Sequence, residues 1–190
     1  GLPQYIRTDN GVPFATNTLA RLSRLSAWWV RLGVLPQLIE PGCPQQNGRH
    51  ERMHRTLKAE ATRPPAAAMR SQQGKFDHFR RVFNTERPHE ALEQRTPADL
   101  YQSSPRPMPS TLPPLEYPDR YEVRYVSANG GIRWNKAWVN VSTTCIGEYV
   151  GLEEVDDGVW DVYFGKLKLG RLLERRMKIE DAYGRLFRHR

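Results

Sequence analysis

The chain has 190 residues, room for one or two domains with hydrophobic cores, and its 38% hydrophobic and 26% charged content is that of a water-soluble globular protein. No apolar run approaches the ~20 residues that a membrane span needs and no signal peptide opens the chain, so no membrane partner is predicted. The formal net charge of +8 predicts an anionic polymer as partner, with a merely soluble basic protein as the alternative.

The first half of the chain alternates between strand and helix patterns. A short strand is predicted over residues 4–8 and a second over 34–39, with a helix over 17–32 between them. Two further helices are predicted over 46–62 and 71–86, each ended by proline. The order strand, helix, strand, helix, helix predicts an α/β fold.

The second half begins with a different composition. Residues 102–118 contain six prolines and no periodic pattern, and this predicts a stiff linker. Over residues 119–170 bulky residues alternate with polar ones between tight-turn dipeptides, and we predict four or five strands of a small β-barrel or sandwich. Its tryptophans are expected in the core rather than as base-stacking platforms: Trp134, Trp138 and Trp160. Residues 171–190 are predicted to be a basic helix or tail.

The charge is unevenly distributed along the chain. Residues 1–101 hold 15 Lys and Arg against 9 Asp and Glu (net +6), and residues 165–190 hold 9 against 3 (net +6). Residues 102–164 hold 5 against 9 (net −4). Two basic stretches around an acidic one predict two contacts with a phosphate backbone. We expect the second contact in the basic stretch 166–190, because the acidic patch at residues 153–157 would repel DNA.

The two cysteines, Cys43 and Cys145, are too far apart for a disulfide framework or a CxxC metal site. Each is predicted to be a small apolar core residue. A chain with two cysteines that form no disulfide is typical of a protein in a reducing cytoplasm.

Two acidic residues stand out by their positions. Asp9 follows the first predicted strand, and Glu51 lies in the first turns of a helix after a Pro/Gly-rich loop. Carboxylates that meet in one cleft bind hard divalent cations, and paired Mg²⁺ ions would activate an attacking oxygen at a phosphodiester. The alternatives are that Asp9 shapes the turn before Asn10-Gly11 and that Glu51 is a favourable anion near a helix N-terminus.

Basic residues share the helix face of Glu51. Arg55 and Lys58 follow it by four and seven positions, which suits a metal-bound, phosphate-rich ligand. An ordinary surface ion pair between Glu51 and Arg55 is the alternative.

Three segments carry a family resemblance, in order, over about residues 4–101. Residues 6–11, Ile-Arg-Thr-Asp-Asn-Gly, resemble the second-aspartate motif of the retroviral integrase and insertion-sequence transposase superfamily. Residues 44–52, Pro-Gln-Gln-Asn-Gly-Arg-His-Glu-Arg, are similar to its loop and catalytic-glutamate motif. A third set of residues resembles the C-terminal segment of these catalytic cores: Phe83-Asn84, Arg87-Pro88-His89, Leu92 and Thr96-Pro97.

The resemblance implies the C-terminal part of a ribonuclease-H-like integrase core over residues 1–101. Asp9 and Glu51 would be the second and third members of an Asp-Asp-Glu triad that binds Mg²⁺ or Mn²⁺. Arg55 and Lys58 would touch the DNA end, and Asn47 would lie in the mobile active-site loop. The implied activity is cleavage and strand transfer at transposon ends by a homo-oligomer on DNA in a bacterial cytoplasm.

The sequence departs from the family in one main respect. The first aspartate and the strands that carry it would precede Gly1, so we interpret the chain as a fragment that is inactive alone. Without those strands, residues 4–8 would expose backbone groups, and we expect poor folding or self-association. A catalytically dead DNA-binding remnant is an alternative. Between Asp9 and Glu51 lie 41 residues (10 to 50), a spacing slightly longer than in retroviral members.

A different enzyme class uses the same glutamate. Residues 50–54 spell His-Glu-x-x-His, in which His50 and His54 would bind zinc and Glu51 would act as general base of a metalloprotease. Three arginines, Arg49, Arg52 and Arg55, crowd this segment with positive charge, which opposes zinc. No third ligand has a recognisable spacing, and Glu86 and Glu90 stay open as candidates.

Overall fold

Contacts divide the chain into two compact units in the computed structural model, which describes residues 1–182. One unit consists of Gly1–Pro41 and Arg106–Arg190, and we call it the sheet unit; the other, Gly42–Pro105, we call the helical unit. The fold is mixed α/β, as the sequence predicts. The grouping cuts across the predicted boundary after residue 101, because the N-terminal segment shares a core with the C-terminal strands.

The N-terminal part of the sheet unit is a strand–helix–strand element. Strand β1 (Tyr5–Thr8), helix α1 (Arg24–Arg31) and strand β2 (Leu35–Leu38) follow in order, and β1 pairs with β2 in parallel. The helix is shorter than predicted because Ser23 caps it: its side chain accepts from the Ser26 backbone N–H and the Ser26 hydroxyl accepts in return.

Up to residue 182, where the described part of the chain ends, seven further strands form the C-terminal part of this unit. They are β3 (Glu122–Tyr125), β4 (Gly131–Trp134), β5 (Ala137–Asn140), β6 (Tyr149–Asp156), β7 (Val159–Phe164), β8 (Leu167–Leu173) and β9 (Lys178–Asp181). An antiparallel sheet has the order β3-β6-β7-β8-β9, and β4 pairs with β5 as a hairpin. The predicted basic tail is therefore wrong for residues 171–181, which complete β8 and form β9, whereas 183–190 lie outside the described residues.

One hydrophobic core joins the two parts of the sheet unit. Val150, Leu152 and Val162 are fully buried in the sheet, and Leu22 and Val30 from the N-terminal segment belong to the same cluster. Cys145 is buried there as predicted, and burial raises the pKa of its thiol to about 12. Cys43, in the helical unit, is only half-buried.

The proline-rich segment has no regular structure, but within the sheet unit it is attached rather than free. The Arg31 guanidinium donates to the Pro113 carbonyl (3.0 Å). The Tyr117 hydroxyl donates to the Tyr149 carbonyl (2.8 Å) and accepts from the Gly165 N–H (3.0 Å). Burial raises the pKa of Tyr117 to about 12, as expected for a phenol that packs against the sheet.

The helical unit contains three helices and little core. A 3₁₀ turn, Pro44–Asn47, leads into α2 (Gly48–Ala61), which packs against α3 (Met69–Thr85), and α4 (Pro97–Leu100) follows. Among residues 42–105, all of them described, only two apolar side chains are buried: Ala61 and Phe79. No helix within residues 1–182 is both long and apolar enough to cross a membrane.

A buried carboxylate should make the sheet unit sensitive to acid. Asp161 accepts from the Arg171 Nε (2.7 Å) and from the Lys168 ammonium. Burial raises its pKa, but these hydrogen bonds more than offset that effect, so the pKa lies below its usual value. The associated stability is present above the unfolded-state pKa of about 3.9 and is lost as the pH falls through the lower folded-state value.

We therefore expect Asp161→Asn to lower the free energy of unfolding by about 2 kcal/mol at neutral pH and by progressively less below about pH 4. Urea unfolding over a pH series measures this. The exposed Asp156→Asn is the control and should change little. A loss of stability in Asp161→Asn that is independent of pH would contradict the role of charge.

Candidate active site

Asp9 lies at the end of β1 and is exposed. Its Oδ1 accepts from the Gly11 backbone N–H (2.9 Å), so it does shape the turn, as the alternative interpretation expected. A side chain at Gly11 would place its Cβ 3.3 Å from the same oxygen, so the position favours glycine. The other carboxylate oxygen of Asp9 has no partner in the part of the chain that the structure describes.

The turn that carries Asp9 is fixed at the carboxyl ends of the parallel strands. The Asn10 amide donates to the Ile39 carbonyl (2.9 Å) and accepts from the Arg21 guanidinium (2.5 Å). The Ile39 N–H donates to the Thr8 carbonyl (3.1 Å). Asp9 is thus presented from a defined turn rather than from a free loop.

The glutamate site belongs to the helical unit. Asn47 precedes the first residue of α2, is half-buried and makes no side-chain capping hydrogen bond. Glu51 lies in the first turn of the helix, where a carboxylate interacts favourably with the helix dipole. It is exposed, and its carboxylate makes no hydrogen bond or ion pair among residues 1–182.

The cations of α2 are exposed and have no acidic partner among residues 1–182. Arg55 and Lys58 are four and seven residues after Glu51 on the helix, and the alternative ion pair between Glu51 and Arg55 does not form within the described residues. Two more exposed arginines on α2 likewise lack an acidic partner there: Arg49 and Arg52. By contrast, Arg87 donates to both carboxylate oxygens of Glu60, each at 2.8 Å. The exposed cations of α2 are therefore available to an external anion.

The structure brings together four of the five predicted site residues, on α2 and the loop before it, and places Asp9 in the sheet unit. Within residues 1–182 no group of three or more His, Cys, Asp or Glu side chains is assembled so that it could hold a metal ion. The meeting of Asp9 with Glu51 therefore stays a prediction.

The zinc alternative depends on the two histidines of α2. The rings of His50 and His54 lie side by side, with centroids 4.1 Å apart and a tilt of 48°. Both are exposed. No third ligand joins them in the described part of the chain, so the motif is not completed into a zinc site there.

One surface of the sheet unit was not predicted. Trp134 is buried as expected, but Trp138 is 38% exposed, with the Arg133 guanidinium 5.8 Å from its ring centroid. The two are direct partners across the β4–β5 hairpin, so they share its outer face. Successive side chains of a strand point to opposite faces, so the position of Trp138 next to the apolar Val139, which is buried, could have predicted that Trp138 faces solvent.

The β4–β5 turn lies against the 3₁₀ turn Glu174–Arg176. Oε1 of Glu174 accepts from the Trp134 indole (2.8 Å), the Asn135 amide (3.1 Å) and the Trp160 indole (3.0 Å). Asn135 and Lys136 have positive φ, as in a tight hairpin turn. Glu174 thus joins both tryptophans and the hairpin turn to the 3₁₀ turn.

A comparison with known families identifies part of the chain. Residues 32–97 match the family model described as integrase core domain. The matched segment begins just before β2, contains all of α2 and α3, and ends at the first residue of α4. It therefore includes Asn47, Glu51, Arg55 and Lys58, and Asp9 precedes it.

Proposed function

We propose that this chain, in which residues 32–97 match the integrase core domain, takes part in cleavage and joining of DNA at transposon ends. The observation that carries this proposal is the exposed face of α2, where Glu51, Arg55 and Lys58 lack partners among the described residues. A carboxylate and cations on one free helix face suit a metal-bound phosphodiester.

Asp9 and Glu51 would hold the divalent ion. Each presents exposed carboxylate oxygen without a partner in the described structure, and such oxygen is the ligand that Mg²⁺ and Mn²⁺ prefer. When bound, paired ions would neutralise charge on the phosphate and lower the pKa of the attacking group. The triad that the family resemblance implies would need a third carboxylate besides these two.

The remaining site residues would position the DNA. Arg55 and Lys58 would contact phosphates beside the scissile bond, and Asn47 would contact the strand end from the loop before α2. In the first step water attacks phosphorus and the 3′ oxygen leaves. In the second, the freed 3′ hydroxyl attacks a phosphodiester of the target, so one bond forms for each that breaks.

We propose a second DNA contact on the sheet unit. Lys168 and Arg171, from the basic stretch, already bond to Asp161, so they are less available to phosphate. The hairpin face with Arg133, Lys136 and Trp138 combines exposed cations with an exposed ring, which suits a nucleic-acid strand better.

Salt dependence tests the contact of α2 with DNA. We expect Arg55→Ala combined with Lys58→Ala to weaken duplex binding, measured by fluorescence anisotropy, and to reduce the slope of log K against log salt by about 0.9 for each lost phosphate contact. Arg80→Ala on α3 is a matched control, because Arg80 already pairs with Asp77 (3.3 Å). Equal slopes for the double variant and the unsubstituted protein would exclude this face as a DNA contact.

A further inference from the structure

A single arginine binds the starts of both parallel strands within the sheet unit. Arg106 donates through Nη1 to the Pro3 carbonyl (2.9 Å) and through Nη2 to the carbonyls of Leu32 (2.7 Å) and Gly33 (2.9 Å). Its own carbonyl accepts from the Leu2 N–H (2.7 Å). The residue lies in the proline-rich segment, which the sequence predicted to be only a spacer.

The local sequence favours this contact. Leu32 and Gly33 directly follow α1, and a cation beside a helix C-terminus interacts favourably with the helix dipole. The planar guanidinium presents several N–H groups at once, which suits a cluster of carbonyls. Gly33 has φ +69°, and an added Cβ would come within 2.8 Å of the Arg106 Nη2, so glycine is needed for both conformation and access.

The contact lies at the end of the strand pair opposite to Asp9. Pro3 precedes β1, whereas Leu32 and Gly33 precede β2, and the first backbone bond between the strands runs from the Leu35 N–H to the Gln4 carbonyl (2.9 Å). β1 and β2 have four residues each and form a two-stranded sheet. So small a sheet is marginally stable without additional contacts.

We propose that Arg106 is a positioning residue: it fixes the register of β1 on β2 and thereby the place of Asp9 at the far end of β1. A slip of one residue would move Asp9 by about 3.3 Å and turn its side chain to the other face of the sheet. Metal ligands tolerate displacements of only about 0.2 Å. The link to catalysis depends on the function proposed above for Asp9, whereas the link to strand register does not.

Hydrogen exchange of the whole chain tests the structural part. In Arg106→Ala, backbone amides of residues 4–8 and 35–39 should exchange about tenfold faster or more, the effect of losing at least one charge-assisted hydrogen bond. Arg106→Lys keeps the charge but not the forked geometry, so it should increase the exchange rate of the same amides by less. This second variant keeps the test valid if Arg106→Ala unfolds as a whole. Arg120→Ala is the matched control, because Arg120 pairs with Glu153 elsewhere in the unit (2.9 Å). Unchanged exchange of both segments in both Arg106 variants overturns the inference.

Metal dependence tests the positioning role. In a cleavage-competent protein that contains this chain and a third triad carboxylate, Arg106→Lys should raise the Mg²⁺ concentration for half-maximal cleavage severalfold while duplex affinity stays the same. Faster exchange with an unaltered Mg²⁺ requirement would make Arg106 a structural residue only and overturn the positioning role. Failure of the proposed function has a different signature: the unsubstituted protein would not cleave DNA, while the exchange difference would persist.

Discussion

Asp9→Asn and Glu51→Gln should each reduce DNA cleavage and strand transfer by about 100-fold or more in a longer protein that carries the upstream carboxylate, with duplex binding largely intact. An amide has nearly the shape of the carboxylate but lacks the negative charge that balances a divalent ion. Neither change should disturb the fold, because Glu51 is exposed and Asn at position 9 can still accept from the Gly11 N–H.

The measurement is gel analysis of an end-labelled transposon-end duplex with Mg²⁺, alongside anisotropy of the same duplex without metal. Glu60→Gln is a matched control on α2: it also removes an exposed carboxylate from that helix, but one that pairs with Arg87. Full cleavage by either Asp9→Asn or Glu51→Gln would remove that residue from the metal site. Loss of binding and cleavage together would instead indicate a role in holding DNA.

Local patterns predicted most of the elements that carry this site. The strands at residues 4–8 and 34–39 and the helices around residues 46–62 and 71–86 are present within a few residues of their predicted bounds. Their pairing could not be predicted in the same way. Parallel register is set by long-range contacts such as those of Arg106 and Asn10, which leave no periodic signal in the sequence.

The two clearest errors have a common physical cause. β9 has only one apolar residue that reaches the core, Ile179, so its alternation is hidden among charged residues and the segment resembles a tail. The helix predicted from residue 17 was interrupted by Ala20 and Arg21, both with positive φ, and the contact of the Ala20 N–H with Asp181 (3.3 Å) involves a residue 161 positions away. Tertiary contacts overrode local propensity in both places.

The sequence predicted the elements that carry Asp9 and Glu51, but the structure does not show the two residues assembled into a site within residues 1–182. Asp9 and Glu51 were singled out by their positions after a strand and at a helix start, both of which the structure has. The local pattern around each residue carries no information on the distance between them, so their meeting stays a prediction. Trp138 was missed because a tryptophan in a small β-domain is assigned to the core by composition, whereas the register with Arg133 decides its face.

The largest stability effect expected in the sheet unit comes from Glu174. One oxygen of its carboxylate accepts three N–H groups, from Trp134, Asn135 and Trp160. Glu174→Ala would leave the indole N–H of Trp134, a residue only 4% exposed, without its acceptor. Because each buried unsatisfied donor costs about 1–3 kcal/mol, we expect a loss of about 3 kcal/mol or more in the free energy of unfolding.

Glu174→Gln removes the negative charge of the side chain but keeps a hydrogen-bond acceptor, so it distinguishes the two effects. The glutamine carbonyl can still accept from the indoles, so the expected loss is about 1 kcal/mol, the difference between a charged and a neutral acceptor. Urea unfolding followed by tryptophan fluorescence measures both variants, with the exposed Glu154→Ala on β6 as control. If Glu174→Ala unfolds at the same urea concentration as the control, the two indoles do not depend on this carboxylate. If the expected loss is found, Glu174 stabilises the hairpin that carries Arg133 and Trp138, and the binding of that hairpin to DNA should weaken in the same variant.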